Sequence, residues 1–281
     1  MEHIDKREWF IEYGPGEIDM DLIDRITLVR MDEEDAEVLA DISKRAFDTD
    51  VDVGAPNPEG GPPGYDDPEF QASVMNYLDC YKIMFDDEVV GGLYVGPGEE
   101  HRVMERIFVD PDQHRRGIGT RAVELMHGMY PAVKLWSLGT PEWNVRTKEF
   151  YERLGYVQVG WDHGEPKFRG RWYDKVVDPE DPYVWASIGD LKDGVRNVDV
   201  EGTVEEKSMA RGVRSRRGEN LSVANAGLSD DSGRIVLVLW NQQIRNVSVG
   251  DRLRVENGYV NSFRGVTQLN IGRAGRLIKP I

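Results

Sequence analysis

Val109-Asp110-Pro111-Asp112-Gln113-His114-Arg115-Arg116-Gly117-Ile118-Gly119-Thr120 joins a strand to a helix and reads as an anion-binding turn. Before it, Val103, Ile107 and Val109 alternate as residues of a strand do. After it, Ile118, Ala122, Val123, Leu125 and Met126 recur at helical spacing through 117–130. Glycine at 117 and 119 removes the side chains that would keep a ligand off the backbone. The first amides of the helix can then face an anion, with the helix dipole behind them. Arg115 and Arg116 add positive charge at the same place. A Gly-x-Gly turn also serves as an ordinary strand-helix corner, so the rest of the chain has to decide its meaning.

Downstream, Asn144-Val145-Arg146-Thr147-Lys148-Glu149-Phe150-Tyr151-Glu152-Arg153-Leu154-Gly155-Tyr156 reads as a short helix with Asn144 at its N-cap and Gly155 at its C-terminal stop. Turn and helix together resemble the GNAT superfamily of acetyl-CoA-dependent N-acetyltransferases. The family's coenzyme motif runs Gln/Arg-x-x-Gly-x-Gly/Ala, and an Asn commonly stands several residues before Tyr-x-x-x-Gly-Phe/Tyr. The resemblance covers roughly residues 24–177. His114 occupies the Gln/Arg position, with a glutamine displaced to 113.

The resemblance implies a mixed, mostly antiparallel sheet flanked by helices, and assigns roles. The backbone of Ile107, Phe108 and Val109 would pair with the pantetheine arm like an added strand. The segment His114, Arg115, Arg116, Gly117, Ile118, Gly119, Thr120 would cradle the pyrophosphate, and Asn144 would bind the coenzyme arm. Acetyl transfer to an amine requires a base to take a proton from the ammonium and an acid to protonate the departing thiolate. Glu105 shares strand parity with Val103, Ile107 and Val109, hence an apolar face, where burial would raise its pKa toward general-base work; it matches the family's glutamate. Tyr151 matches the general acid. Their plainer readings are a glutamate paired with Arg102 or Arg106 and a core aromatic.

The coarse order of this region is a strand at 25–30, a helix at 33–47, an irregular stretch, a helix at 68–78 and two strands through 81–96, an order that fits the GNAT topology. The stretch 48–67, with Gly54-Ala55-Pro56-Asn57-Pro58-Glu59-Gly60-Gly61-Pro62-Pro63-Gly64-Tyr65, is too rich in glycine and proline for a helix or inner strand. By resemblance this loop, with Asp48, Asp50, Asp52 and Glu59, meets the amine; a surface loop is the alternative.

The 281 residues suffice for one large or two ordinary domains, and no apolar run is long enough to span a membrane. The start, Met1-Glu2-His3, is too polar for a secretory signal, so a cytoplasmic protein is expected. Cys80, the lone cysteine, excludes an internal disulfide, and five histidines without ligand spacing give no reason to expect a metal. The net charge of −16 divides unevenly about Asp178-Pro179-Glu180-Asp181-Pro182, which reads as a linker over 178–185 following an extension at 1–23 and the domain at 24–177. Residues 186–281 hold 15 Lys and Arg against 11 Asp and Glu, a balance of +4, which leaves 20 against 40, or −20, before them. The acidic half suits a cationic acceptor such as a polyamine or a lysine-rich tail; solubility or adaptation to salt explains the acidity equally well.

After the linker, alternating strands are expected at 198–206, 221–228, 234–240, 252–260 and 267–277, enough for a small barrel. Gly194-Val195-Arg196-Asn197-Val198-Asp199-Val200-Glu201-Gly202-Thr203-Val204, the run Asp230–Trp240 and the run Val249–Gly265 with Gln268-Leu269-Asn270 resemble the OB-fold of archaeal single-stranded-DNA-binding proteins. Trp240, Tyr259 and Phe263 would be base-stacking platforms, with Arg264 beside the last and Arg211, Arg214, Arg216 and Arg217 in a hairpin gripping phosphates. A small barrel also needs aromatics inside it, and the arginines also suit a solvated loop or a protein-docking patch.

The expectation is therefore an acetyl-CoA-dependent N-acetyltransferase acting on a primary amine, a protein lysine, an N-terminus or a polyamine-like cation, tethered to a barrel that binds single-stranded DNA or RNA. Two alternatives are an acetyl-CoA sensor controlling a binding module, and a small-molecule acetyltransferase carrying a protein-interaction adaptor.

Overall fold

The computed structural model describes residues 24–56, 61–162, 169–215 and 218–281. The extension at 1–23 and the residues Glu59, Arg216 and Arg217 lie outside them. The chain forms two compact units. One holds the described residues up to Leu138 together with Trp143–Val157, and the other holds Gly139–Glu142 and Gln158–Ile281.

The first unit contains strands β1 (Ile26–Arg30), β2 (Asp79–Phe85), β3 (Glu88–Val95) and β4 (His101–Val109) in antiparallel order. β5 (Leu135–Pro141) lies parallel to β4. A capping box built by Asp32 and Asp35 starts the 3-10 turn leading into α1 (Ala36–Asp48). The buried residues of α1, Ala36, Leu39, Ala40, Ile42, Ser43 and Ala46, fall on one helical stripe, and Leu39 and Ile42 pack with Cys80, Tyr94 and Phe108. Cys80 is a core residue whose thiol burial pushes up to about 12. The stretch expected to be irregular begins instead with a 3-10 turn, Thr49–Val53, closed by Gly54 at φ +102°. Helix α2 (Pro68–Val74) follows, with Asp67 as its cap and Pro68 at its first position. Helices α3 (Ile118–Met129) and α4 (Val145–Arg153) flank β5 in the chain.

In the second unit, β8 (Arg196–Lys207), β10 (Asn220–Asp230), β11 (Gly233–Trp240), β12 (Arg252–Phe263) and β13 (Val266–Pro280) close into a five-stranded barrel. β8 pairs β10, β10 pairs β11, β11 pairs β13 in parallel, β13 pairs β12 and β12 returns to β8. Alternation fills it: Val200, Leu228, Leu237, Leu239, Val255 and Leu269 are fully buried. A short β9 (Arg211–Arg214) pairs with β10, and α5 (Gln242–Asn246) follows β11.

This unit also holds two strands that precede the 178–185 segment, β6 (Val157–Asp162) and β7 (Gly170–Val176). β6 pairs with the end of β13 through Asp162, Trp161 and Gly160. Beside it, the buried Arg254 guanidinium bonds Asp174 at 2.6 Å, Glu201 at 2.8 Å and Glu256 at 3.4 Å, and stacks 4.2 Å from the Trp185 ring; Trp172 donates to Glu256 at 3.0 Å. Removing one partner from a buried charge cluster strands the others, at about 3–5 kcal/mol. Arg254→Ala is therefore expected to lower the denaturation midpoint by that equivalent. Arg252→Ala, which loses an exposed guanidinium from Glu201, is expected to cost under about 1 kcal/mol. Urea titration of both variants compares them.

Candidate coenzyme turn and nucleic-acid face

The quoted turn opens α3 with Gly117 at φ +81° in the N-cap position, where no side chain caps the helix. Arg115 is also left-handed, at φ +60°. Successive amides in such a turn converge into a concavity that suits an anion. A Cβ on Gly119 would stand 3.4 Å from the Phe150 ring and 3.9 Å from Val109, so glycine keeps this approach to the backbone open. Ile118 is buried and anchors the helix start, while Thr120 and Gly119 remain partly exposed. Arg115 is exposed at the turn, whereas Arg116 turns away, donating to Gln113 and lying 4.7 Å over the Phe85 ring. His114, in the departing position, bonds the Val109 carbonyl through Nε2 at 2.9 Å. The histidine thus ties the turn to the strand end.

Among the described residues β4 pairs with β5 over His101–Val103, and the edge of β4 that faces β5 has no described strand partner at Ile107, Phe108 and Val109. The β3–β4 register shifts between Tyr94 and Val95, and Glu105 falls at the extra residue. The shift also changes which face is buried. Met104, opposite Val95, and Phe108, opposite Gly92, are buried on either side of the shift, while Val103, Glu105, Arg106, Ile107 and Val109 are half-buried. Glu105 approaches Gly96, on whose Cβ position Oε1 would lie at 3.4 Å.

Asn144 caps α4 through Thr147 N at 3.1 Å and also donates to Asp50 Oδ1 at 3.1 Å, which leaves one amide hydrogen and one lone pair uncommitted among the described residues. Asp50 also accepts from Arg146 at 2.5 Å. Burial is the largest influence on its carboxyl and raises its pKa despite these partners. Sequence reading placed Asp50 only within an acceptor loop; its partners lie more than ninety residues away. Tyr151 is 7 % exposed, packed 5.2 Å from Phe150 and 6.1 Å from Tyr156. Burial first, then the Asp50 carboxylate, push its phenol well above the ordinary tyrosine range, so it keeps its proton.

On the barrel, β11 turns Leu237 and Leu239 inward and Val236, Val238 and Trp240 to the opposite face. Val238 pairs with Asn270 and Asn270 with Tyr259, so Trp240, Tyr259, Asn261 and Phe263 share that face. None of the three aromatics joins the core: Trp240 is 37 % and Phe263 51 % exposed, and Tyr259 is half-buried. Arg211 extends the same face, because it pairs with Val223 and Val223 with Trp240. Arg264 sits 5.4 Å over the Phe263 ring at the β12–β13 turn. Arg214, one strand parity away, donates to the Gly218 carbonyl at 3.1 Å.

Residues 77–158 match the family model described as acetyltransferase (GNAT) domain, and residues 194–279 the one described as single-stranded DNA binding protein Ssb-like, OB fold. The chain is 32 % identical over 85 residues to the single-stranded DNA binding protein Ssb of Saccharolobus solfataricus, spanning 30 % of this chain and 57 % of that protein. It is 30 % identical over 122 residues to the uncharacterized protein YrkN of Bacillus subtilis, 40 % of this chain and 66 % of that one. A crystal structure of an acetyltransferase from Thermus thermophilus is 18 % identical with a TM-score of 0.46, covering 54 % of this chain and 97 % of its own. The chain thus spans less than two thirds of the length of these two sequence relatives. A mixed α+β unit with an uncapped glycine turn and a closed five-stranded barrel agree with both matches, which make residues 77–158 similar to the GNAT acetyltransferase domain family and residues 194–279 similar to the Ssb-like OB-fold family.

Proposed function

We propose that the protein transfers an acetyl group from acetyl-CoA to a primary amine while its barrel holds single-stranded DNA or RNA. The acceptor is the N-terminus or a lysine of a protein, or a polyamine-like cation drawn to the acidic half of the chain. The observation that carries the reading is the α3 start, where left-handed Arg115 and Gly117 present amides that no side chain claims. The pyrophosphate would rest there, with Arg115 beside it, and the free edge of β4 would receive the pantetheine arm as an added strand. Acetyl-CoA supplies the acetyl group as a reactive thioester. Glu105 takes the proton from the ammonium, directly or through a water, and Tyr151 gives its proton to the thiolate. Asn144, fixed by Asp50, orients the coenzyme arm. Aromatic platforms and Arg211 on the barrel support nucleic-acid binding, as does the likeness to a single-stranded DNA binding protein, Ssb of Saccharolobus solfataricus.

Gly119→Val tests the coenzyme site, since its side chain fills the space beside Phe150 and Val109. Calorimetric titration with acetyl-CoA should show a loss of about tenfold or more in affinity, equivalent to about 1.4 kcal/mol. Unchanged affinity would remove the turn from the site.

A further inference from the structure

Arg106 has no ion-pair partner among the described residues. Its guanidinium lies 5.6 Å over the Phe70 ring and 6.0 Å over the Tyr94 ring, and Nη2 donates to the Pro63 carbonyl at 3.3 Å. Nη1 is shut off from solvent and has no hydrogen-bond partner among the described residues, and there Arg106 makes no ion pair. Burial pulls its pKa below the ordinary arginine value. An unpaired buried cation is among the costliest arrangements a fold can keep, and such exceptions to good packing gather at functional sites.

The nearest polar side chains are held in a chain of bonds of their own. Tyr94 Oη donates to Gln71 Oε1 at 2.7 Å, Gln71 Nε2 donates to the Tyr65 carbonyl at 2.9 Å, and Tyr65 Oη donates to Asp48 at 3.0 Å. These bonds pin residues 61–67, part of the segment that the acetyl-transfer reading sets against the acceptor, over the β4 strand that carries both Glu105 and Arg106. A guanidinium with a free N–H, walled by aromatic faces, matches a carboxylate in charge and geometry.

We propose that Arg106 binds a carboxylate carried by the amine acceptor, so that one molecule presents its ammonium to Glu105 and its carboxylate to the neighbouring Arg106. The inference rests on the acetyl-transfer reading and narrows it. Polyamines, which carry no anion, become poor acceptors. Two sources supply the required pair of groups: a free α-amino acid, or a polypeptide whose N-terminal residue has an acidic side chain.

The test uses the full chain with acetyl-CoA, reading thiol release. Acceptors are glutamate and glutamine α-amide as the free pair, peptides beginning Asp or Glu against the same peptides beginning Asn or Gln, and spermidine. Carboxylate-bearing acceptors should exceed their neutral counterparts in kcat/KM by roughly 10- to 100-fold, the scale of one charge-assisted hydrogen bond. Whether the free or the peptide pair shows the preference names the source. Arg106→Gln should collapse that ratio toward one, chiefly through KM, and Arg106→Lys should restore part of it, keeping the charge without the fork. Arg106→Met removes an unpaired buried charge, so its thermal midpoint should equal or exceed that of the wild type. A ratio near one in the wild type, spermidine as the best acceptor, or a fall of several degrees in Arg106→Met would overturn the proposal while leaving acetyl transfer standing. Failure to turn over any acceptor, with no heat on acetyl-CoA titration, would remove the parent reading and this inference with it.

Discussion

Tyr151→Phe is expected to lower acetyl transfer by about 10²- to 10⁴-fold while acetyl-CoA still binds, the range found when a positioned proton donor is removed. The substitution deletes one oxygen and keeps the ring, so packing against Phe150 and Tyr156 survives and stability changes little. Burial and the nearby Asp50 carboxylate hold the proton on this phenol across neutral pH, so the group is in its neutral, proton-carrying form when the thiolate departs. Initial rates by thiol release, set beside calorimetric titration with acetyl-CoA, separate chemistry from binding. A coenzyme sensor without catalysis would be indifferent to the loss, and a variant as fast as the wild type would remove Tyr151 from the acid role.

The triple variant Trp240→Ala, Tyr259→Ala, Phe263→Ala should weaken binding of a fluorescent single-stranded oligonucleotide by at least roughly 100-fold. Each stacked base is worth about 1–3 kcal/mol, and three platforms on one face can hold three bases. The barrel should stay folded, because its core is built by Val200, Leu228, Leu237, Leu239, Val255 and Leu269, and the three aromatics lie outside that cluster. Arg211→Ala should behave differently, weakening binding across sequences and reducing the salt dependence by about one phosphate contact. Equal affinity of the triple variant and the wild type across a salt series would make the barrel a protein adaptor instead.

Local pattern made part of this molecule readable from its residues. The switch from alternation to helical spacing around Gly117 marks the strand-helix corner, because that period is a property of neighbours in the chain. The barrel strands were legible for the same reason, each ending within a few residues of its expected limits. Parity failed at Glu105, where one extra residue in β4 shifts the register, so that Met104 and Phe108 are buried and Glu105 is left half-buried; nothing local announces that bulge. Composition reads 178–185 as a linker, yet Trp172 and Asp174, which precede it, bond Glu256 and Arg254. The Asp50 cluster with Asn144 and Arg146 was hidden likewise, since partners so distant in sequence meet only in the folded chain. Arg116 was read as a phosphate ligand by its place in the motif, but Gln113 and the Phe85 ring hold it elsewhere.

The central claim is that one chain brings acetyl transfer to amines held near single-stranded nucleic acid. The most direct measurement compares a peptide acceptor free in solution with the same peptide joined by a short flexible linker to a single-stranded oligonucleotide, both far below KM with the full chain and acetyl-CoA. Tethering raises effective concentration to the millimolar range for such linkers, so the joined peptide should be acetylated at least tenfold faster, and the platform triple variant should erase the difference. Equal rates for free and joined peptide, with the oligonucleotide shown to be bound, would contradict the account.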